Sequence, residues 1–165
     1  MNSSIPNEKQ LMNSLTLKGN GFSEFVPLKG VTFSNLPFNK GAILVLIDTT
    51  LTGTPVSDIL YIGRSKKPTK RVFGGYLAGC GGKTSKKINS MLVNNGYIEK
   101  VAVSWMLSDN PKLGQLELLE NFKKENGAYP AWNISKKPVQ KSQAAAKVTR
   151  KPRPTRKKKP AKPSS

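Results

Sequence analysis

Two apolar runs, Ala42-Ile43-Leu44-Val45-Leu46-Ile47 and Ile59-Leu60-Tyr61-Ile62, constrain the fold more than anything else in this chain. Both have strand length and both are bounded by turn residues: Gly41 ahead of the first, Gly63 after the second, and a Thr-, Gly- and Pro-containing connection from Asp48 to Asp58 between them. Two such strands joined by one loop predict an antiparallel hairpin. Their apolar character is continuous rather than alternating, so both faces must be covered, which calls for helices flanking the sheet.

Later segments supply those helices. Pro68 suits a first helical turn continuing through Leu77, weakened by Gly74 and Gly75. Thr84 or Ser85 can cap a second helix with Ile88, Met91 and Leu92 on one face, stopping at Asn94-Asn95-Gly96. Ile98 to Met106 alternates as a third strand, with Val101, Val103 and Trp105 on one face. Asp109 or Asn110 before Pro111 starts a last helix, with Leu113, Leu116, Leu119 and Phe122 as its buried stripe and Gly127 as its stop. The expected fold is α+β, a small three-stranded antiparallel sheet flanked by helices over residues 37–134. Residues 1–36 read as a weakly structured arm. Residues 135–165 are mostly Lys, Pro, Ala and Ser, too poor in apolar side chains to offset the entropy of ordering, and are expected to be disordered.

Charge narrows the partners. The chain has 28 Lys and Arg against 9 Asp and Glu, and 12 of the basic residues but none of the acids fall in 135–165. Such an excess predicts salt-sensitive affinity for polyanions, since each phosphate neutralised releases condensed counterions. There is no histidine, which removes the commonest general base and metal ligand, and the lone Cys80 can form neither an internal disulfide nor a multi-thiolate zinc site. No stretch approaches the roughly 20 apolar residues of a membrane span, and the N-terminus lacks a signal-peptide core. A soluble, intracellular protein associated with nucleic acid in a nucleoid or nucleus is the expectation.

The chemistry gathers around Tyr61-Ile62-Gly63-Arg64-Ser65, Arg71, Glu117 and Asn133. Gly63 would leave the end of its strand open to a closely approaching ligand. Phosphodiester hydrolysis needs negative charge stabilised on phosphoryl oxygens, for which a planar, permanently charged guanidinium such as Arg71 is suited. It also needs a Lewis acid, and one carboxylate with several waters, here Glu117 in preference to Glu120, is a usual way of holding one Mg²⁺ or Mn²⁺ ion. A phenol titrates near pH 10, so Tyr61 or Tyr76 could act as a base at neutral pH only beside a cation or metal, and Lys66, Lys67, Lys70 and Arg71 supply such a field. Asn133 could orient a phosphate or simply fix a turn.

In order and spacing these residues resemble the GIY-YIG nuclease domain. Tyr61-Ile62-Gly63 matches its second-strand motif, Arg71 follows Gly63 by eight residues as the family's arginine does, and Glu117 and Asn133 have settings similar to its metal-binding Glu and closing Asn. Gly41-Ala42-Ile43 departs from the family's Gly-x-Tyr, with Ile43 at the first tyrosine, and the frequent His after the Arg is missing. The resemblance implies a metal-dependent endonuclease acting on DNA, with Tyr61, Arg71, Glu117 and Tyr76 as catalytic candidates. Loss of the first tyrosine leaves open a catalytically inactive DNA-binding protein of the same fold, and RNA remains an alternative ligand.

Gly82-Lys83-Thr84 imitates the end of a P-loop, but Leu77 stands where the first glycine is required and no strand precedes it, so nucleotide hydrolysis is rejected. Lys83, Lys86 and Lys87, together with Arg64, Lys66, Lys67, Lys70 and Asn133, remain candidate nucleic-acid contacts. So do Arg153, Arg156, Lys157, Lys158 and Lys159 in a Pro-spaced segment similar to linker-histone tails and basic localisation signals.

Overall fold

The computed structural model describes residues 11–133, which run in the order α1 (Ser14–Lys18), β1 (Val26–Pro27), a 3-10 turn (Phe33–Asn35), β2 (Ala42–Asp48), β3 (Ile59–Ser65) and α2 (Pro68–Lys70). A π-helical segment (Arg71–Leu77) follows, then α3 (Lys83–Val93), a second 3-10 turn (Tyr97–Glu99), β4 (Val101–Leu107) and α4 (Pro111–Asn126). The basic residues Arg153, Arg156, Lys157, Lys158 and Lys159 lie outside the described residues.

The hairpin forms as expected, β2 pairing antiparallel with β3 and, on its other side, with β4. All seven residues of β2 are buried. Leu44, Leu46, Tyr61, Val101 and Val103 pack on one face with Val72, Tyr76, Ile88 and Leu92 from the α2–α3 region, and Ile43, Val45, Ile47 and Ile62 pack on the other with Phe122 of α4. Each large aliphatic side chain so buried contributes about 1.5–3 kcal/mol. The continuous apolar pattern therefore reports a central strand with helices on both faces.

The sheet has four strands, not three, in the order β1-β4-β2-β3. The added strand comes from the segment expected to be a weakly structured arm. Val26 and Pro27 pair with Val103 and Ala102 of β4, and Met12, Leu17, Phe22, Leu28, Val31 and Leu36 are all buried. Polar anchors fix the arm: the buried Asp58 carboxylate accepts hydrogen bonds from the Ser14 N–H (2.8 Å), the Ser14 hydroxyl and the Thr52 hydroxyl (2.8 Å). The isolated apolar residues of this segment carry no strong period of their own because they fill gaps along two different faces of the sheet.

Two other local expectations change. The buried side of α4 is Pro111, Phe122 and the partly buried Leu118 and Leu119, whereas Leu113 and Leu116 are 50% and 48% exposed. The helix is turned so that a polar residue, Gln115, lies between Pro111 and Leu119 on the inner side, where its amide donates to the Ile62 carbonyl at 3.0 Å. Gly114 permits the close approach, since a Cβ there would stand 2.5 Å from Ile43 Cδ1. In α3, Gly82 rather than Thr84 or Ser85 occupies the N-cap position. Among the described residues no helix is long and apolar enough to cross a membrane.

Candidate nucleic-acid interface

β3 is an edge strand, and its outward backbone groups are taken up by the closing segment. The Trp132 N–H donates to the Leu60 carbonyl at 2.9 Å, and the Asn133 carboxamide both accepts from the Ile62 N–H and donates to the Ile62 carbonyl, each at 2.9 Å. Asn133 thus holds the strand that carries Tyr61, a backbone role that sequence left as one of two possibilities.

Beside this strand opens a cleft of about 830 Å³ walled by Tyr61, Arg64, Lys66, Lys67, Arg71 and Lys112, with Gln115, Thr84 and Asp109 among its other lining residues. Tyr61, Thr84 and Gln115 also line an adjoining groove with Lys83, Lys87 and Asn133. Lys87 Nζ donates to the Trp132 carbonyl at 3.1 Å. Lys70 lines neighbouring concavities rather than the cleft, and Lys86 is exposed on α3.

Tyr61 and Arg71 are therefore brought together. Arg71 opens the π-helical segment and its Nη1 stands 3.4 Å from the Ser85 hydroxyl. The Tyr61 ring lies over Gly63, where a Cβ would come within 2.5 Å of it, so the space that glycine creates is filled by the tyrosine rather than left open for a ligand. Tyr76 meets Tyr61 edge-on at 6.1 Å and is fully buried, its hydroxyl without a hydrogen-bond partner among the described residues. Burial raises the pKa of Tyr61, only partly opposed by the charges of Arg71 and Arg64. Burial, reinforced by Tyr61, pushes Tyr76 well above the ordinary tyrosine value. At neutral pH both phenols are protonated, which suits Tyr61 to donate a hydrogen bond to a phosphate oxygen and unsuits either phenol as a base.

Glu117 is not brought into this constellation. It is exposed and lines a separate shallow depression with Leu116, Glu120 and Asn121. The α4 residues that line the cleft are Pro111, Lys112 and Gln115, the last of them two positions before Glu117 and so about 200° away around the helix. The Gln115 amide oxygen accepts a hydrogen bond from Arg64. Sequence reasoning passed over Gln115 because a neutral amide inside an amphipathic helix carries no chemical signature, and Lys112 because it stands alone in the sequence.

Glu117, the carboxylate that the resemblance gives to a magnesium or manganese ion, does not line the cleft. Among the described residues the cleft's sole lining carboxylate is Asp109, against five cationic side chains, and no three His, Cys, Asp or Glu side chains cluster as metal ligands. Nor does β2 restore a phenol. Leu44 pairs with Gly63 on the Tyr61 face of the sheet, while Ile43 packs on the α4 face. What the arrangement can do is grip phosphate: exposed lysines, two guanidiniums and a neutral phenol line one open surface.

No protein-family model, curated protein or solved structure matches this chain.

Proposed function

We propose that the protein is a DNA-binding module with the layout of a GIY-YIG domain, whose cleft grips phosphodiesters without hydrolysing them. The observation that carries this reading is the make-up of the cleft among the described residues: Arg64, Lys66, Lys67, Arg71 and Lys112 against the single carboxylate of Asp109, with the neutral Gln115 of α4 hydrogen-bonded to Arg64. Affinity then comes from neutralised phosphates and is independent of base sequence. The GIY-YIG layout is supported by Tyr61-Ile62-Gly63, by the spacing to Arg71 and by the element order β2-β3-α2-α3-β4-α4. The basic segment 135–165 adds further phosphate-binding charge on the same chain.

Binding of the purified chain to labelled duplex DNA at stepped salt, followed by incubation of supercoiled DNA with Mg²⁺ or Mn²⁺, tests this. Salt-sensitive binding weakened by Arg64→Glu with Lys67→Glu, and no divalent-dependent nicking, is the expected outcome. Nicking that disappears in Glu117→Ala would overturn the non-hydrolytic reading in favour of a metal-dependent endonuclease. Absence of salt-sensitive binding would remove DNA as the ligand.

A further inference from the structure

Two phenylalanines sit in water beside the cleft. Phe33 is 67% exposed and Phe38 is 73% exposed, and both line a largely apolar depression with Asn39, Lys67, Thr69 and Lys70. A contiguous exposed apolar patch rimmed by polar residues marks an interaction site or binding groove, whereas apolar residues exposed singly need no explanation. Neither ring is carried on a slack segment. Phe33 stacks on Phe73 with centroids 4.2 Å apart and 26° between planes, so the face it offers outward belongs to a two-ring stack. The 3-10 turn that carries it is closed by Asn35 Oδ1, which accepts from the Thr32 N–H at 2.8 Å and the Thr32 hydroxyl at 2.8 Å. Phe38 precedes Asn39, which adopts φ 53°, and the turn is tied to α2 by the Thr69 hydroxyl donating to the Pro37 carbonyl at 3.1 Å.

We infer that this depression is a stacking site for an unpaired nucleobase of single-stranded DNA, with Phe33 and Phe38 receiving the base and Lys67 and Lys70 holding the phosphates on either side of it. Charge decides among possible occupants. No carboxylate lines the depression, two lysines do, and Lys67 lines both this site and the phosphate cleft, so a strand running from one to the other meets positive charge throughout. A base brings an apolar π-face and a phosphate of opposite sign within one nucleotide, and stacking on an aromatic ring accepts any base. The inference rests on the reading of the cleft as a phosphate-binding surface and adds to it the class of DNA: strands with unpaired bases.

The test compares three labelled DNAs of equal length bound to the whole chain: a single strand, an abasic strand carrying the same phosphates, and a duplex. The single strand is expected to bind at least about fivefold more tightly than the abasic strand, the lower end of what one stacked base contributes. Phe33→Ala with Phe38→Ala should abolish that preference and leave abasic and duplex binding unchanged. Equal binding of single and abasic strands, or a preference that survives the double variant, overturns the stacking site while leaving the cleft reading intact. Phe33→Leu with Phe38→Leu keeps the apolar surface but removes the ring faces, and a preference retained in that variant likewise overturns stacking. Failure of all three DNAs to bind in a salt-sensitive manner removes the cleft reading and the base site together, and tighter binding of a matching RNA strand overturns the assignment to DNA.

Discussion

The Asn133 carboxamide pairs with both backbone groups of Ile62, at 2.9 Å in each direction, and so completes the outer edge of the strand that presents Tyr61. Replacing it by Ala leaves the Ile62 N–H without its partner, while the carbonyl keeps its bond from Gln115. An orphaned buried donor costs about 1–3 kcal/mol. Asn133→Ala should therefore lower stability in urea by that amount while leaving DNA affinity, measured well below the unfolding midpoint, within about twofold. A large loss of affinity with no loss of stability would make Asn133 a ligand contact instead.

Burial of the Tyr61 and Tyr76 phenols gives the fold an alkaline limit. Both pKa values lie above that of an exposed tyrosine, chiefly through desolvation. Their contribution to stability is fully present below about pH 10, where the unfolded chain keeps its phenols neutral, and is lost as pH rises through the raised folded values. Tyr76→Phe removes a hydroxyl that has no hydrogen-bond partner among the described residues. It should be neutral or slightly stabilising at pH 7 and should move alkaline unfolding, followed by circular dichroism, to higher pH. Unfolding at an unchanged pH in that variant would exclude Tyr76 as a cause of the limit.

How much of this could be read from sequence depends on whether a residue's role follows from its neighbours in the chain. The continuous apolar runs of β2 and β3 need no partner to be recognised, and Asn110 before Pro111 announces α4, its side chain accepting from the Leu113 N–H at 3.2 Å. Tyr61 and Arg71 share a cleft because only the short β3–α2 connection and α2 itself separate β3 from the π-helical segment that Arg71 opens. Glu117 was misplaced by the same logic. An amphipathic helix can be rotated by one residue at small cost in pattern, and the rotation adopted by α4 is chosen by Gly114 meeting Ile43 and by Gln115 meeting Ile62, contacts between residues more than fifty positions apart. The arm escaped notice for a related reason: its anchor, the buried Asp58, lies in a segment that reads as plain loop.

Restoring a tyrosine at position 43 should not restore a phenol to the cleft. Ile43 packs on the α4 face with Phe122, and its Cδ1 already fills the space that Gly114 leaves. A larger ring there overpacks the core, at a cost of about 1–3 kcal/mol. Ile43→Tyr should thus unfold at lower denaturant and show no divalent-dependent nicking of supercoiled DNA. A stable variant that cuts would mean that the strand presents residue 43 to the Tyr61 side.

Gln115 is the position at which one atom changes the character of the cleft. Its amide oxygen accepts from Arg64 and its amide nitrogen donates to the Ile62 carbonyl at 3.0 Å. Gln115→Glu keeps the shape and the contact to Arg64 but converts it to an ion pair, withdraws the donor from Ile62, and places a negative charge where phosphate would lie. A largely exposed ion pair is worth about 0.2–1 kcal/mol, so duplex affinity should fall by about 1.4- to fivefold. The slope of log affinity against log salt should shrink by about 0.9, the share of one phosphate contact. Glu117→Gln, two residues away on the outer side, should leave both quantities unchanged. If instead the Glu117 variant changes the salt slope and the Gln115 variant does not, the DNA path runs over the outer side of α4 and not through the cleft beside Tyr61.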